Sequence, residues 1–162
     1  MFAFRYIGII GKQGAGKSTL ADLLRRMIPG SKVVHLADAL KILFYDTYMQ
    51  DKQPKEAKLA WVNAHKQHFR LELQSMGTRM RATQGEDYWV DVLDNTAGLA
   101  TVVIVPDIRY KNEAQRMDYL IRLEPPDSVR ESRIQVVGAD HASESGIPDI
   151  KAHLTLYDWK FS

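Results

Sequence analysis

The sequence predicts an α/β protein in three layers, a five-stranded parallel sheet flanked by helices. Three observations carry that prediction. An apolar run at residues 6–10 is followed by a glycine-rich loop and then by helically spaced leucines. Four further β-prone runs alternate with helical patterns along the chain, the order that builds parallel sheets. The run Thr-Val-Val-Ile-Val at 101–105 is apolar without alternation, as a strand covered on both faces must be.

The loop comes first. Residues 11–18, Gly-Lys-Gln-Gly-Ala-Gly-Lys-Ser, match G-x-x-x-x-G-K-[ST] at every fixed position, between a predicted strand and a predicted helix. Glycines let successive backbone N–H groups turn onto phosphate oxygens, and a lysine adds a mobile cation for the outer phosphates. Gly11, Gly14, Ala15, Gly16, Lys17, Ser18 and Thr19 are therefore the expected nucleotide-binding residues, with the Ser18 hydroxyl offered to Mg²⁺. The expected fold is that of the phosphate-loop NTPases.

The remaining elements follow in order. A helix over 19–28 places Leu20, Leu23, Leu24 and Met27 on its apolar face, and Pro29-Gly30-Ser31 ends it. Residues 32–36 read as a short strand, and an apolar-periodic helix then runs to about Tyr48. Residues 55–76 read as one long helix, closed by Gly77 just past its C-terminus. Thr83-Gln84-Gly85-Glu86 has capping-box spacing ahead of a helix that buries Tyr88, Trp89, Val92 and Leu93. After the 101–105 strand come a short helix at 110–117 and a strand at 119–123 stopped by Pro125-Pro126. Ser128-Val129-Arg130-Glu131 is a second capping-box pattern. Residues 138–149 read as loop, and 153–156 as the last strand. The organisation expected is a single domain over 1–162, with a helical acceptor-binding region at about 50–85 and a lid at about 126–145.

Composition removes several classes. At 162 residues the chain can bury a core without staples, and 45% hydrophobic with 26% charged residues disfavours both disorder and a membrane span. The absence of cysteine excludes disulfides and thiolate zinc sites and accords with a cytoplasmic setting. A net charge of +2 and no basic tract with interleaved aromatics give no reason to expect stable nucleic-acid binding. Monomer and homodimer both stay open.

Ligands of such sheets collect at the carboxyl ends of the strands. The second strand delivers Asp38 and Lys41 there, the third Asp107 and Arg109, and the fourth the segment with Arg130 and Arg133. Asp107 stands where a carboxylate would hold Mg²⁺ or its waters, or else caps the next helix. Arg109 is a phosphate ligand or a surface partner of Glu113. Arg130 and Arg133, three apart, share one face of a helical turn and suit an arm that lowers guanidinium groups onto phosphates, or form a solvated basic face. Of Arg79 and Arg81, Arg81 is the preferred second anion anchor. His65 and His68 lack carboxylate partners and read as a solvated helix face. No general base stands out. That suits a phosphate monoester as acceptor, because its second pKa of about 6 leaves its oxygen ionised at neutral pH. Charge neutralisation and in-line positioning are then the main requirements.

With these positions in view, the chain resembles the bacteriophage-type deoxynucleoside monophosphate kinases within the wider nucleoside monophosphate kinase group. The resemblance rests on GKQGAGKST, LADALK, LQSMGTRMR with DYWV, PDIRYKNEA, IRLEPP and DHASE. It implies transfer of the γ-phosphoryl group of ATP, with Mg²⁺, to a deoxynucleoside 5'-monophosphate, giving the diphosphate. It also implies that Lys17, Ser18 and the loop glycines bind ATP and Mg²⁺, that Asp38, Lys41, Arg81, Asp107 and Arg109 line the acceptor side, and that Arg130 and Arg133 belong to the lid. Lys17, Arg109, Arg130 and Arg133 are the catalytic candidates. His141, Ser143 and Glu144 match the post-lid motif, with Glu144 toward the substrate. Two alternatives remain: a kinase of the same fold acting on another phosphate monoester such as phosphomevalonate, and a nucleotide-dependent switch or NTPase. Against the switch, no N-K-x-D motif is found.

Overall fold

The computed structural model describes residues 5–133 and 147–157. Within them the chain forms two compact units, one from the residues up to Val34 together with those from Ala97 onward, the other His35–Thr96.

The first unit holds the sheet. Strands β1 (Tyr6–Ile10), β2 (Ser31–Val33), β3 (Val102–Val105), β4 (Tyr119–Leu123) and β5 (Leu154–Leu156) lie in the order β2-β3-β1-β4-β5. All pairings are parallel, with Gly8 opposite Val105 on one side of β1 and Leu120 on the other. β1 is central because its Ile9 and Ile10, like all of β3, are fully excluded from solvent. From β1 the chain runs outward to β2 and returns to β3, and β4 then adds on β1's other side. The carboxyl end of β1 therefore sits at a switch point, where such sheets hold ligands.

Helix α1 (Lys17–Met27) covers this sheet through Leu20, Ala21 and Leu24, joining Ile9, Ile104, Ile121 and Leu123 in one cluster. Its expected apolar face is narrower than the leucine spacing suggests, since Leu23 is 37% and Met27 68% exposed. The short helices α6 (Lys111–Gln115) and α7 (Asp127–Ser132) follow β3 and β4, and a 3-10 turn (Ile147–Asp149) precedes β5. β2 is shorter than the expected 32–36 because Leu36 is buried as the first residue of the next helix.

The second unit is helical: α2 (Leu36–Met49), α3 (Lys55–His65), α4 (Arg70–Gln84) and α5 (Tyr88–Ala97), whose last residue falls in the first unit. The single helix expected over 55–76 is corrected to two. The break at 66–69 lets Phe69 turn inward against Phe44 and Trp61, with ring centroids 5.4 and 5.7 Å away. Gly77 does not end a helix. It lies inside α4, where an added Cβ would stand 3.4 Å from Leu40 Cδ2 of α2, an ordinary van der Waals contact. The stop is Gly85, at φ 106°, whose N–H donates to the Arg81 carbonyl at 3.0 Å. Both expected capping boxes are absent: Thr83 Oγ1 donates back to the Arg79 carbonyl, and Ser128 lies inside α7, which starts at Asp127 after Pro126.

Candidate active site

The phosphate loop links β1 to α1 as the sequence predicts. Gly14 (φ 79°) and Gly16 (φ 96°) adopt the left-handed conformation, which a side chain at either position would strain. Gly16 is the N-cap of α1 and has no side chain to cap that end, and no acidic residue occupies the helix's first turn. The first N–H groups of the helix and its positive dipole end are thereby kept for an anion. Lys17 is half-buried, Ser18 and Thr19 are exposed on the first turn, and Ala15 is buried in the sheet cluster.

Four successive carbonyls of the loop each meet a cation. Lys17 Nζ donates to the carbonyls of Gly11 and, at 3.0 Å, Lys12. Arg130 Nη1 donates to the Gln13 carbonyl at 3.5 Å, and Arg133 Nη1 to that of Gly14 at 3.4 Å. The two arginines that the sequence assigns to an arm thus reach the loop from α7 and its C-cap. Their reading as a solvated face fails for Arg130, whose side chain is only 12% exposed. Asp127 steadies it: Oδ1 accepts from both Nε and Nη2 at 3.3 Å. That aspartate is mostly exposed, so the pair adds orientation and at most about 1 kcal/mol.

At the end of β3, Asp107 is half-buried and is not a helix cap, because α6 starts at Lys111 with Tyr110 as its N-cap. Arg109 is half-buried two residues later. Glu113 is no surface partner: it is 3% exposed, and its Oε2 accepts the backbone N–H groups of Arg109 at 2.8 Å and Tyr110 at 3.0 Å. Sequence reasoning passed over this role, although Glu113 stands three residues after the N-cap, the spacing of a glutamate that folds back on its own helix start.

A second overlooked residue is Arg122 of β4, 7% exposed. Its Nη2 donates to the carbonyls of Ile147, at 2.7 Å, and Ile150, while Nη1 donates to Glu124 Oε1 at 3.1 Å. It ties the returning chain to the sheet. A charged residue inside an apolar strand pattern was the available signal.

In the second unit, Asp38 and Lys41 pair with one another at 3.2 Å in the first turns of α2, where the acidic side chain also complements the helix dipole. Arg81, in the last turn of α4, donates through Nη1 to the Glu86 carbonyl at 3.2 Å. Arg79 instead lines a cavity of about 290 Å³ with Tyr48, Leu71, Glu72, Ser75 and Met76. His65 stacks on Trp61 from the end of α3, whereas His68, expected on the same helix face, lies in the break between α3 and α4 and packs edge-on to Phe69. His141, Ser143 and Glu144 lie outside the described residues.

Among the described residues no three His, Asp or Glu side chains gather closely enough to cage a metal. Ser18, in the first turn of α1 after β1, and Asp107, after the neighbouring β3, are the hydroxyl and carboxylate available to Mg²⁺, which takes one or two protein oxygens and completes its shell with phosphates and water. No helix among the described residues is long and apolar enough to cross a membrane.

The model of the family described as phosphomevalonate kinase matches residues 9–122, well over half the chain. No curated protein matches. Similar solved structures include TT1252 from Thermus thermophilus, at 20% identity and TM-score 0.58, covering 96% of this chain and 89% of that one. Another is the shikimate kinase from Acinetobacter baumannii in complex with shikimate, at 16% identity and TM-score 0.50, covering 98% and 86%. Those two likenesses speak to the fold, a phosphate-loop kinase fold with a five-stranded parallel sheet flanked by helices.

Proposed function

The chain belongs to the phosphomevalonate kinase family, and from that premise we propose that it transfers the γ-phosphoryl group of ATP to the phosphate of a small phosphate monoester, phosphomevalonate being the first candidate. The family is not the deoxynucleoside monophosphate kinase family that the motifs resemble, and the preferred acceptor is revised accordingly. The observation that carries the proposal is the match over 9–122, which takes in the phosphate loop, Asp38, Lys41, Asp107 and Arg109.

In the proposed reaction an acceptor phosphate oxygen attacks the γ-phosphorus in line. The new P–O bond forms as the β–γ bridging bond breaks, and its electron pair leaves on ADP. An acceptor oxygen that is already ionised needs no base, in keeping with the absence of an evident one. Mg²⁺, held by Ser18 and Asp107, would neutralise charge on the nucleotide phosphates. Lys17 and the N-terminus of α1 hold the donor phosphates. Arg130 and Arg133, already at the loop, move from its carbonyls to the transferring oxygens and screen two anions from one another. Lys41, released from Asp38, and Arg81 serve the acceptor.

A second reading, a deoxynucleoside monophosphate as acceptor, keeps the support of the Asp-Ile-Arg-Tyr-Lys-Asn-Glu-Ala motif at 107–114. One coupled ADP assay separates the two, run with MgATP and a panel of phosphomevalonate, the deoxynucleoside monophosphates and shikimate. Turnover with phosphomevalonate alone is expected. Turnover confined to a deoxynucleotide transfers the proposal to the second reading, and none with any phosphate monoester overturns both.

A further inference from the structure

We infer that Glu113 is a positioning residue that sets Arg109, by fixing the turn between β3 and α6 from its inner side. The inference takes what Arg109 does from the kinase reading above; what Glu113 does rests on its own hydrogen bonds. Burying a carboxyl group is costly unless donors meet it, and here one oxygen meets two, the N–H groups of Arg109 and Tyr110. Capping accounts for only one of these bonds: the Tyr110 N–H is the usual capping-box donor, whereas the Arg109 N–H lies one residue outside the cap. α6 has five residues, and an exposed serine or aspartate would cap it without desolvation.

The turn is instead held at two points. Ile108, 1% exposed, anchors it in the core, and Glu113 fixes the next two peptide units. Arg109 lies between these anchors. Its backbone is thereby set before any ligand arrives, and Asp107 is carried on the same short stretch. A phosphate ligand on an unsupported loop would sample many positions, whereas transfer needs placement to well under 1 Å.

The test has two readouts. Amide hydrogen exchange at Arg109 and Tyr110 is measured in wild type, Glu113→Ala and Glu113→Gln, whatever the acceptor. Steady-state turnover with MgATP and phosphomevalonate is measured in the same proteins and in Arg109→Ala with and without Glu113→Ala. Protection at both amides is expected to fall to loop levels in Glu113→Ala and to survive in Glu113→Gln, whose side-chain carbonyl still accepts. The alanine variant is expected to lose about 10²-fold in kcat, the cost of misplacing a phosphate ligand by about 1 Å. Glu113→Gln is expected to recover most of that loss. In the Arg109→Ala background, removing Glu113 is expected to cost less than about threefold more, because the two act as one unit.

Unchanged amide protection in Glu113→Ala overturns the inference, as does full additivity with Arg109→Ala. If Glu113→Ala does not fold, Glu113→Asp, one methylene shorter, takes its place with the same expected losses. Absence of wild-type turnover with phosphomevalonate counts against the acceptor reading, and the amide exchange then decides the inference alone.

Discussion

Arg133 Nη1 donates to the Gly14 carbonyl at 3.4 Å, joining the C-cap of α7 to the centre of the phosphate loop. With Arg130 on Gln13, it leaves two guanidinium groups resting on the loop. Removal of either should therefore impair transfer more than ATP affinity. Arg130→Ala is expected to lower kcat by about 10²-fold or more, with a change of only a few-fold in KM for ATP. Arg133→Ala, at an exposed side chain, should lose less. Steady-state kinetics on both variants checks this; equal kcat in Arg130→Ala and wild type would remove α7 from the mechanism.

Lys17→Met should abolish turnover while leaving the fold intact. The lysine's donors go to the carbonyls of Gly11 and Lys12, so the methionine gives up a local clasp but no core packing. Circular dichroism and thermal melting report the fold, and ADP release reports the chemistry. Near-normal turnover in a folded variant contradicts the role given to the loop.

Arg122→Met should be the most destabilising of these changes. It removes the donor to the buried carbonyls of Ile147 and Ile150, at a cost of roughly 2–4 kcal/mol, and frees the chain entering β5. Urea unfolding measures it. Wild-type stability would show that water replaces the guanidinium there.

Stability should also depend on alkaline pH through Tyr45. Burial first, then the hydrogen bond to Asp51 and the charges of Asp51 and Asp46, raise its hydroxyl above the ordinary tyrosine pKa. A raised folded pKa contributes stability that is complete below the unfolded value of about 10 and is lost as pH rises through the folded one. Tyr45→Phe should lower the urea midpoint at pH 7, and the gap to wild type should narrow as pH passes above about 10. A gap that stays constant with pH would show that the Tyr45 hydroxyl titrates alike in the folded and unfolded chain, against the raised folded pKa.

Much of the sheet was legible because its signals are local. β1 and β4 fall on the predicted 6–10 and 119–123, where β-branched and apolar residues are bounded by a glycine loop and by prolines. The loop needed only its fixed glycines, lysine and serine. The split between α3 and α4 was not legible, because Lys66-Gln67-His68 carries no glycine or proline. What ends α3 is the pull of Phe69 toward Phe44 and Trp61, a tertiary effect invisible to periodicity. Gly77 misled because a glycine inside a helix and one just past its end look alike in sequence. The shared face of Arg130 and Arg133 was legible in their spacing, and both reach the phosphate loop, whereas Glu113 looked like a surface charge until its burial and its two backbone donors were known.

The nature of the acceptor is tested most directly by the ³¹P spectrum of the product formed from MgATP and phosphomevalonate. Transfer to the acceptor's phosphate should give two new phosphorus resonances that split one another, the mark of a P–O–P linkage, appearing in step with ADP and absent with Lys17→Met. A new monoester resonance without such splitting, or ADP formed at the same rate with the acceptor left out, would contradict a phosphate-monoester kinase.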